Sequence, residues 1–209
     1  DLNRAIQFTA VADRDHYGSS RTPLIYILNS LFNPFVETKI TFIKSIFIFS
    51  LTAPIFFYLC LQQKFKKEDK LLLILITSTI CLSPYFRTSA YWGLEENFGI
   101  VSVLFAFFFI DKFLSYDSSS LNKYFNLFLS ILFSSLCLYF DQKLLIIPLI
   151  CFLKIFFSDE SSNFKIFSIF FHFIFSLPYI YLIINWGNII PTGDAGGRGV
   201  LNQLHFYHI

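Results

Sequence analysis

The chain has 209 residues, 55% of them hydrophobic and 21% aromatic, with 30 Phe and only 14% charged residues. A soluble domain of this size cannot cover so much apolar surface with water-compatible groups, which puts the chain in a bilayer. Its net charge of +2 comes from dispersed residues and leaves no electrostatic footprint for nucleic acid.

The first segment, Asp1 to Thr22, is polar and carries Asp1, Asp13, Asp15 and His16, ending in Arg21-Thr22-Pro23. The apolar stretch Leu24 to Phe35 that follows is too short to span and is expected to lie at the membrane interface, with Thr22 as N-cap and Pro23 in the first turn. An exposed loop aspartate is usually only solvated. A cluster of them ahead of an interfacial helix makes Asp1 and Asp15 candidates for a general base.

A helix needs about 20 apolar residues to cross a hydrocarbon core of about 30 Å. That length places crossings near 42–62, 71–86, 98–116, 124–140, 144–157 and 166–186. The expected class is all-α, a polytopic integral membrane helix bundle with about six crossings and an interfacial helix. Residues 1–41 form an outer loop with the interfacial helix, 42–186 the bundle, and 187–209 a glycine-rich outer loop. Between the first two crossings, Lys64-Phe65-Lys66-Lys67-Glu68-Asp69-Lys70 is the densest basic cluster, and it is expected to face the cytoplasm. Parity then sends 117–123 and 158–165 inside, with 87–97, 141–143 and 187–209 outside. Every arginine, Arg4, Arg14, Arg21, Arg87 and Arg198, falls on the outer side. A planar guanidinium matches phosphate oxygens, although any one of these could instead snorkel or pair with a carboxylate.

Between crossings two and three, Pro84 to Asn97 contributes Arg87, an aromatic belt pair Tyr91 and Trp92, and Glu95 with Glu96, which either bind substrate or complement a helix dipole. Asp141-Gln142-Lys143 is a polar turn between apolar runs, a place where ionisable groups are costly and so suspect. His172, alone in a Phe-rich run, is expected to be a packing residue. The last segment, Asn185 to Gly199, holds five of the eight glycines and carries Asp194 and Arg198, with Gln203 beyond it. Glycine permits close backbone approach to a phosphate or sugar, but the Gly-Lys-Ser/Thr ending of a P-loop is absent. Cys60, Cys81, Cys137 and Cys151 fall in apolar runs without metal-ligand spacing and are expected to be buried. No metal or cofactor is expected. The chain contains no Met, and the expectation is a longer reading frame with a membrane segment ahead of Asp1.

This arrangement resembles the polytopic GT-C glycosyltransferases that use polyprenyl-phosphate sugars. Nearest are the dolichyl-phosphoglucose-dependent α-1,2-glucosyltransferases. The likeness rests on Asp1 and Gln7 in the first loop, on Asp15, Ser20, Thr22, Pro23 and Tyr26, on Gln142, and on Gly187, Ile189, Gly193, Asp194, Gln203 and Phe206 or Tyr207. Asn3 and Arg4 depart from the family's Phe-His, and its Arg-Gln-Thr-Asn turn keeps only the Gln. The resemblance implies an inverting hexosyl transfer with Asp1 or Asp15 catalytic. Arg21, Arg87, Glu95, Gln142, Asp194, Arg198 and Gln203 would bind a polyprenyl-phosphate sugar and a lipid-linked or other glycan acceptor. The rival class is a transporter or flippase of a lipid-linked or anionic solute, and a third reading is a structural membrane subunit.

Overall fold

The computed structural model describes residues 24–36, 38–92, 94, 96–115 and 120–186. Among these the regular structure is helical: α1 (Leu24–Phe32), α2 (Lys39–Ser50), α3 (Thr52–Lys64), α4 (Lys70–Leu82), α5 (Pro84–Trp92), α6 (Glu96–Leu114), α7 (Ser120–Phe140), a single 3-10 turn (Gln142–Leu144), α8 (Ile146–Phe156) and α9 (Ser162–Trp186). Four of these stretches are long and apolar enough to cross a membrane: Lys39–Lys64, Glu96–Leu114, Ser120–Phe140 and Ser162–Ile184. A fifth is added if α4 and α5, bent by 60° at their junction, form one broken span. Large apolar side chains such as Ile48, Ile55, Leu72, Phe125 and Phe173 stand exposed on the outside of the bundle. A surface this apolar suits lipid and not water, so the chain is an integral membrane protein.

Prolines set the breaks. Pro54 lacks the N–H that would bond the Ser50 carbonyl, and the helix resets at Leu51 while keeping its course, so α2 and α3 act as one 26-residue stretch. Pro84 has a larger effect because it drives the preceding Ser83 to an extended backbone (φ −60°, ψ 121°), and α4 ends there. The expected crossing 71–86 is therefore the shorter α4, and much of the expected outer turn 87–97 is the helix α5. The expected crossing 144–157 is shorter too. It consists of the 3-10 turn and the 11-residue α8, and at 1.5 Å per residue α8 alone reaches only about 16 Å. α1, with nine residues, stops at Phe32 and is likewise too short to span; its expected cap, Thr22-Pro23, lies outside the described residues.

Ring and polar contacts give the direction of every long helix. Phe49 stacks on Phe98 (4.3 Å between centroids) and Phe56 meets Phe105 at a tilt (4.0 Å), so α2–α3 and α6 run parallel. Phe98 meets Phe140 (5.5 Å) and Phe105 meets Phe133 (4.7 Å), so α6 and α7 are antiparallel. Tyr124 pairs with Phe167 and Tyr139 with Tyr179, so α7 and α9 are parallel. α8 then returns the chain. Lys154 near its end reaches Asp111 (2.5 Å), and Glu160 just beyond reaches Lys123 (2.6 Å). The bundle therefore has two ends. One carries the Lys64–Lys70 loop, Asp111, Lys123 and Glu160, and the other carries Tyr85, Asn97 and Asp141.

The α6–α7 seam is the tightest region of the core. Gly99, Ser102 and Ala106 on α6 and Ser130, Ser134 and Cys137 on α7 are all buried, and Ser130 Oγ donates to the Ala106 carbonyl at 3.1 Å. In lipid no hydrophobic force draws helices together, so small residues that let backbones approach, with a few interhelical hydrogen bonds, hold such a pair. Phe113, Ile110, Leu127, Ile131, Cys151 and Ile155 fill the space between α6, α7 and α8 toward the first end.

Candidate functional site at the Asp141 end

The polar groups gather where α7 hands over to α8. Asp141 is extended (φ −143°, ψ 114°) and caps the 3-10 turn, one carboxylate oxygen accepting from Lys143 N at 3.0 Å. Its other oxygen accepts from the Tyr85 hydroxyl at 3.0 Å, which ties α5 to this turn. The Lys143 ammonium lies 5.8 Å from the centre of the Tyr85 ring, within cation–π range. Gly99 makes the turn's close approach to α6 possible: a Cβ there would lie 2.7 Å from Leu144 Cδ1 and 3.5 Å from Asp141 Cβ. Gln142 Nε2 is buried and has no hydrogen-bond partner among the described residues.

A second polar cluster braces α5 from beneath. Asn97 is fully buried, and its amide donates to Ser50 Oγ at 2.8 Å and, at a long 3.4 Å, to the Phe86 carbonyl. The Ser50 hydroxyl in turn donates to the Ile46 carbonyl (2.8 Å), so the chain of donors runs from α6 through α2. Glu96 is also buried, at 6% exposure, so it does more than offer charge to a helix end in water.

Arg87 stands exposed on α5 and lines a groove of about 640 Å³ with Phe47, Cys81, Thr88, Tyr91 and Trp92. Two residues along a helix turn by about 200°, so Tyr85 and Arg87 serve opposite sides of α5. Gln142 is not among the groove residues. Of the expected site residues, then, Arg87 and Gln142 lie at the same end but on different sides of one helix, not in a shared pocket. Asp1, Asp15, Arg21, Glu95, Asp194, Arg198 and Gln203 lie outside the described residues. Cys81, expected to be buried, is exposed in the groove, whereas Cys137 and Cys151 are buried and Cys60 partly so.

No protein-family model, curated protein or solved structure matches this chain. The chemistry must come from the residues themselves. Arg87 offers an exposed guanidinium beside a groove, a fit for a phosphate oxygen. Asp141 has both oxygens engaged, which suits a carboxylate that organises the turn and Tyr85 more than one that takes up a proton. Among the described residues no group of three His, Cys, Asp or Glu side chains is placed to hold a metal ion. Tyr85, Asn97 and Ser50 were not singled out from sequence: their partners are 56, 47 and 47 residues away, and no local pattern encodes such pairings.

Proposed function

We propose that this protein is an inverting glycosyltransferase that moves a hexose, glucose by the resemblance to the α-1,2-glucosyltransferases, from a polyprenyl-phosphate donor to a lipid-linked or other glycan acceptor. The reaction takes place at the Asp141 end, which faces away from the cytoplasm, in an endoplasmic reticulum or bacterial inner membrane. The observation that carries the reading is Arg87 beside its groove, at the end of the bundle opposite the lysine-rich loop. In this reading the 3-10 turn with α8 counts as a crossing and the bent α4–α5 pair as another, giving six, with α1 at the interface.

Asp1, or Asp15, takes the proton from the acceptor hydroxyl as its oxygen attacks the anomeric carbon. The bond to the polyprenyl phosphate breaks, the configuration inverts, and negative charge grows on the departing phosphate. Arg87, with Arg21 and Arg198, stabilises that charge in a low-dielectric setting. Glu95, Asp194 and Gln203 hold the sugar and the acceptor, with Gln142 left to the turn on the other side of α5. The donor supplies its own activated bond, so the proposal calls for neither metal nor cofactor.

A carrier for a lipid-linked or anionic solute is the second reading. The 60° break between α4 and α5 favours it, since interrupted helices line transporter sites. Membranes holding the protein, given radiolabelled polyprenyl-phosphate hexoses and a lipid-linked acceptor, decide between them. The enzyme transfers label, and Arg87→Gln lowers that transfer by tenfold or more, about 1.4 kcal/mol or above in the transition state. Solute uptake into vesicles with no transfer from any hexose would establish the carrier instead.

A further inference from the structure

α9 carries Pro178 in its interior. The ring removes the N–H that would bond the Ile174 carbonyl and crowds that carbonyl, so the ladder is weakest there. The neighbouring α7 supplies a hydroxyl at this level. Tyr139 Oη donates to the Phe175 carbonyl at 2.6 Å and accepts from Tyr179 N at 3.0 Å. Phe175 O and Tyr179 N are the two groups that pair with each other in an uninterrupted helix, so the tyrosine hydroxyl stands between the halves of one rung. A side chain entering the ladder and a proline are two recognised causes of helix bending, and here they coincide.

Among the described side chains past Pro178, Tyr179 and Leu182 are buried, whereas Ile180, Tyr181 and Ile184 stand exposed. The Tyr139 and Tyr179 rings meet edge to face at 5.6 Å, so the same pair supplies both the polar and the apolar contact. The inner stretch of α9 is better anchored, through Phe164, Phe167 and Phe171 against Tyr124 and Phe128.

We propose that α9 is a rod of two segments hinged at Pro178, and that the Tyr139 hydroxyl is the clasp that holds the outer segment at one angle to α7. Released, the segment from Tyr179 to Trp186 pivots while the inner two-thirds of α9 stays packed. The hinge lies close to the Asp141 turn, two residues along the chain from Tyr139.

The test uses the full protein in lipid nanodiscs, with the four cysteines replaced by alanine and spin labels at Phe125→Cys and Ile184→Cys. The parent should give one narrow distance distribution, and Tyr139→Phe should broaden it or add a second component. In a Pro178→Leu background, where the backbone completes its own ladder, Tyr139→Phe should change nothing. A control pair at Leu71→Cys and Ile166→Cys reports the inner end and should be the same in all four proteins. The proposal is overturned if Tyr139→Phe leaves the outer pair unchanged, or broadens it equally with leucine at 178. It is equally overturned if Tyr139→Phe shifts the control pair, because the tyrosine would then be holding the whole bundle and not a hinge.

Discussion

Asn97 and Ser50 carry the cost of a polar contact deep in an apolar bundle, and the two halves of that contact are not equivalent. Removing the acceptor with Ser50→Ala leaves the buried Asn97 amide without its short bond, a loss of about 1–3 kcal/mol. Asn97→Leu removes the orphan itself, and Ser50 keeps its bond to Ile46. Thermal unfolding in detergent should therefore rank Ser50→Ala below Asn97→Leu, with the double variant no worse than Ser50→Ala alone. Gly99 offers a second comparison. The nearest obstacle to a Cβ is the tip of Leu144, and the next contact is ordinary at 3.5 Å. Gly99→Ala should be nearly silent if Leu144 turns aside. Gly99→Val adds branches against the Asp141 turn and should cost about 1–3 kcal/mol as an overpacked site, read in the same unfolding measurement. The glycine was visible in the sequence but its purpose was not, because the turn it admits lies far along the chain and depends on how α6 and α7 pair.

Among the elements, helix existence was legible and helix endings less so. Apolar run length is a local property, and it located α2–α3, α6, α7 and α9 to within a few residues of their observed bounds. The endings depend on backbone chemistry that run length ignores. Pro84 ends α4 through its effect on Ser83, and Pro54 produces only a reset at Leu51. Pro84→Ala should let α4 continue into α5 and turn Tyr85 away from Asp141. A distance measurement across that junction should lengthen, and Tyr85→Phe should then have no effect on stability, in contrast to a loss of about 0.5–1.5 kcal/mol in the parent. The ion pairs at the other end differ in shelter: Lys123 and Glu160 are 19% and 18% exposed, Lys154 and Asp111 39% and 28%. A double-mutant cycle should find the first coupling larger, with the second near the range of about 0.2–1 kcal/mol typical of exposed pairs.

For the whole molecule, the chain alternates direction so that polar groups accumulate at two ends and lipid-facing Phe, Leu and Ile occupy the middle. Composition alone indicated a membrane bundle. The candidate site was less legible, because arginine and carboxylate positions sort to an end by parity but parity says nothing about which side of a helix they face. Arg87 and Gln142 illustrate this: both sort to the same end, yet Gln142 does not line the Arg87 groove. The central claim is that Leu94 and Lys143 lie across the membrane from Lys67 and Glu160. Single cysteines at these four positions, in a chain whose own cysteines are alanine, should be probed in sealed vesicles with a membrane-impermeant thiol reagent. The bundle's two-ended arrangement predicts that Leu94→Cys and Lys143→Cys label together from one side while Lys67→Cys and Glu160→Cys label only after the membrane is opened, or the reverse in inverted vesicles. Labelling of Lys143→Cys and Lys67→Cys from the same side would contradict it.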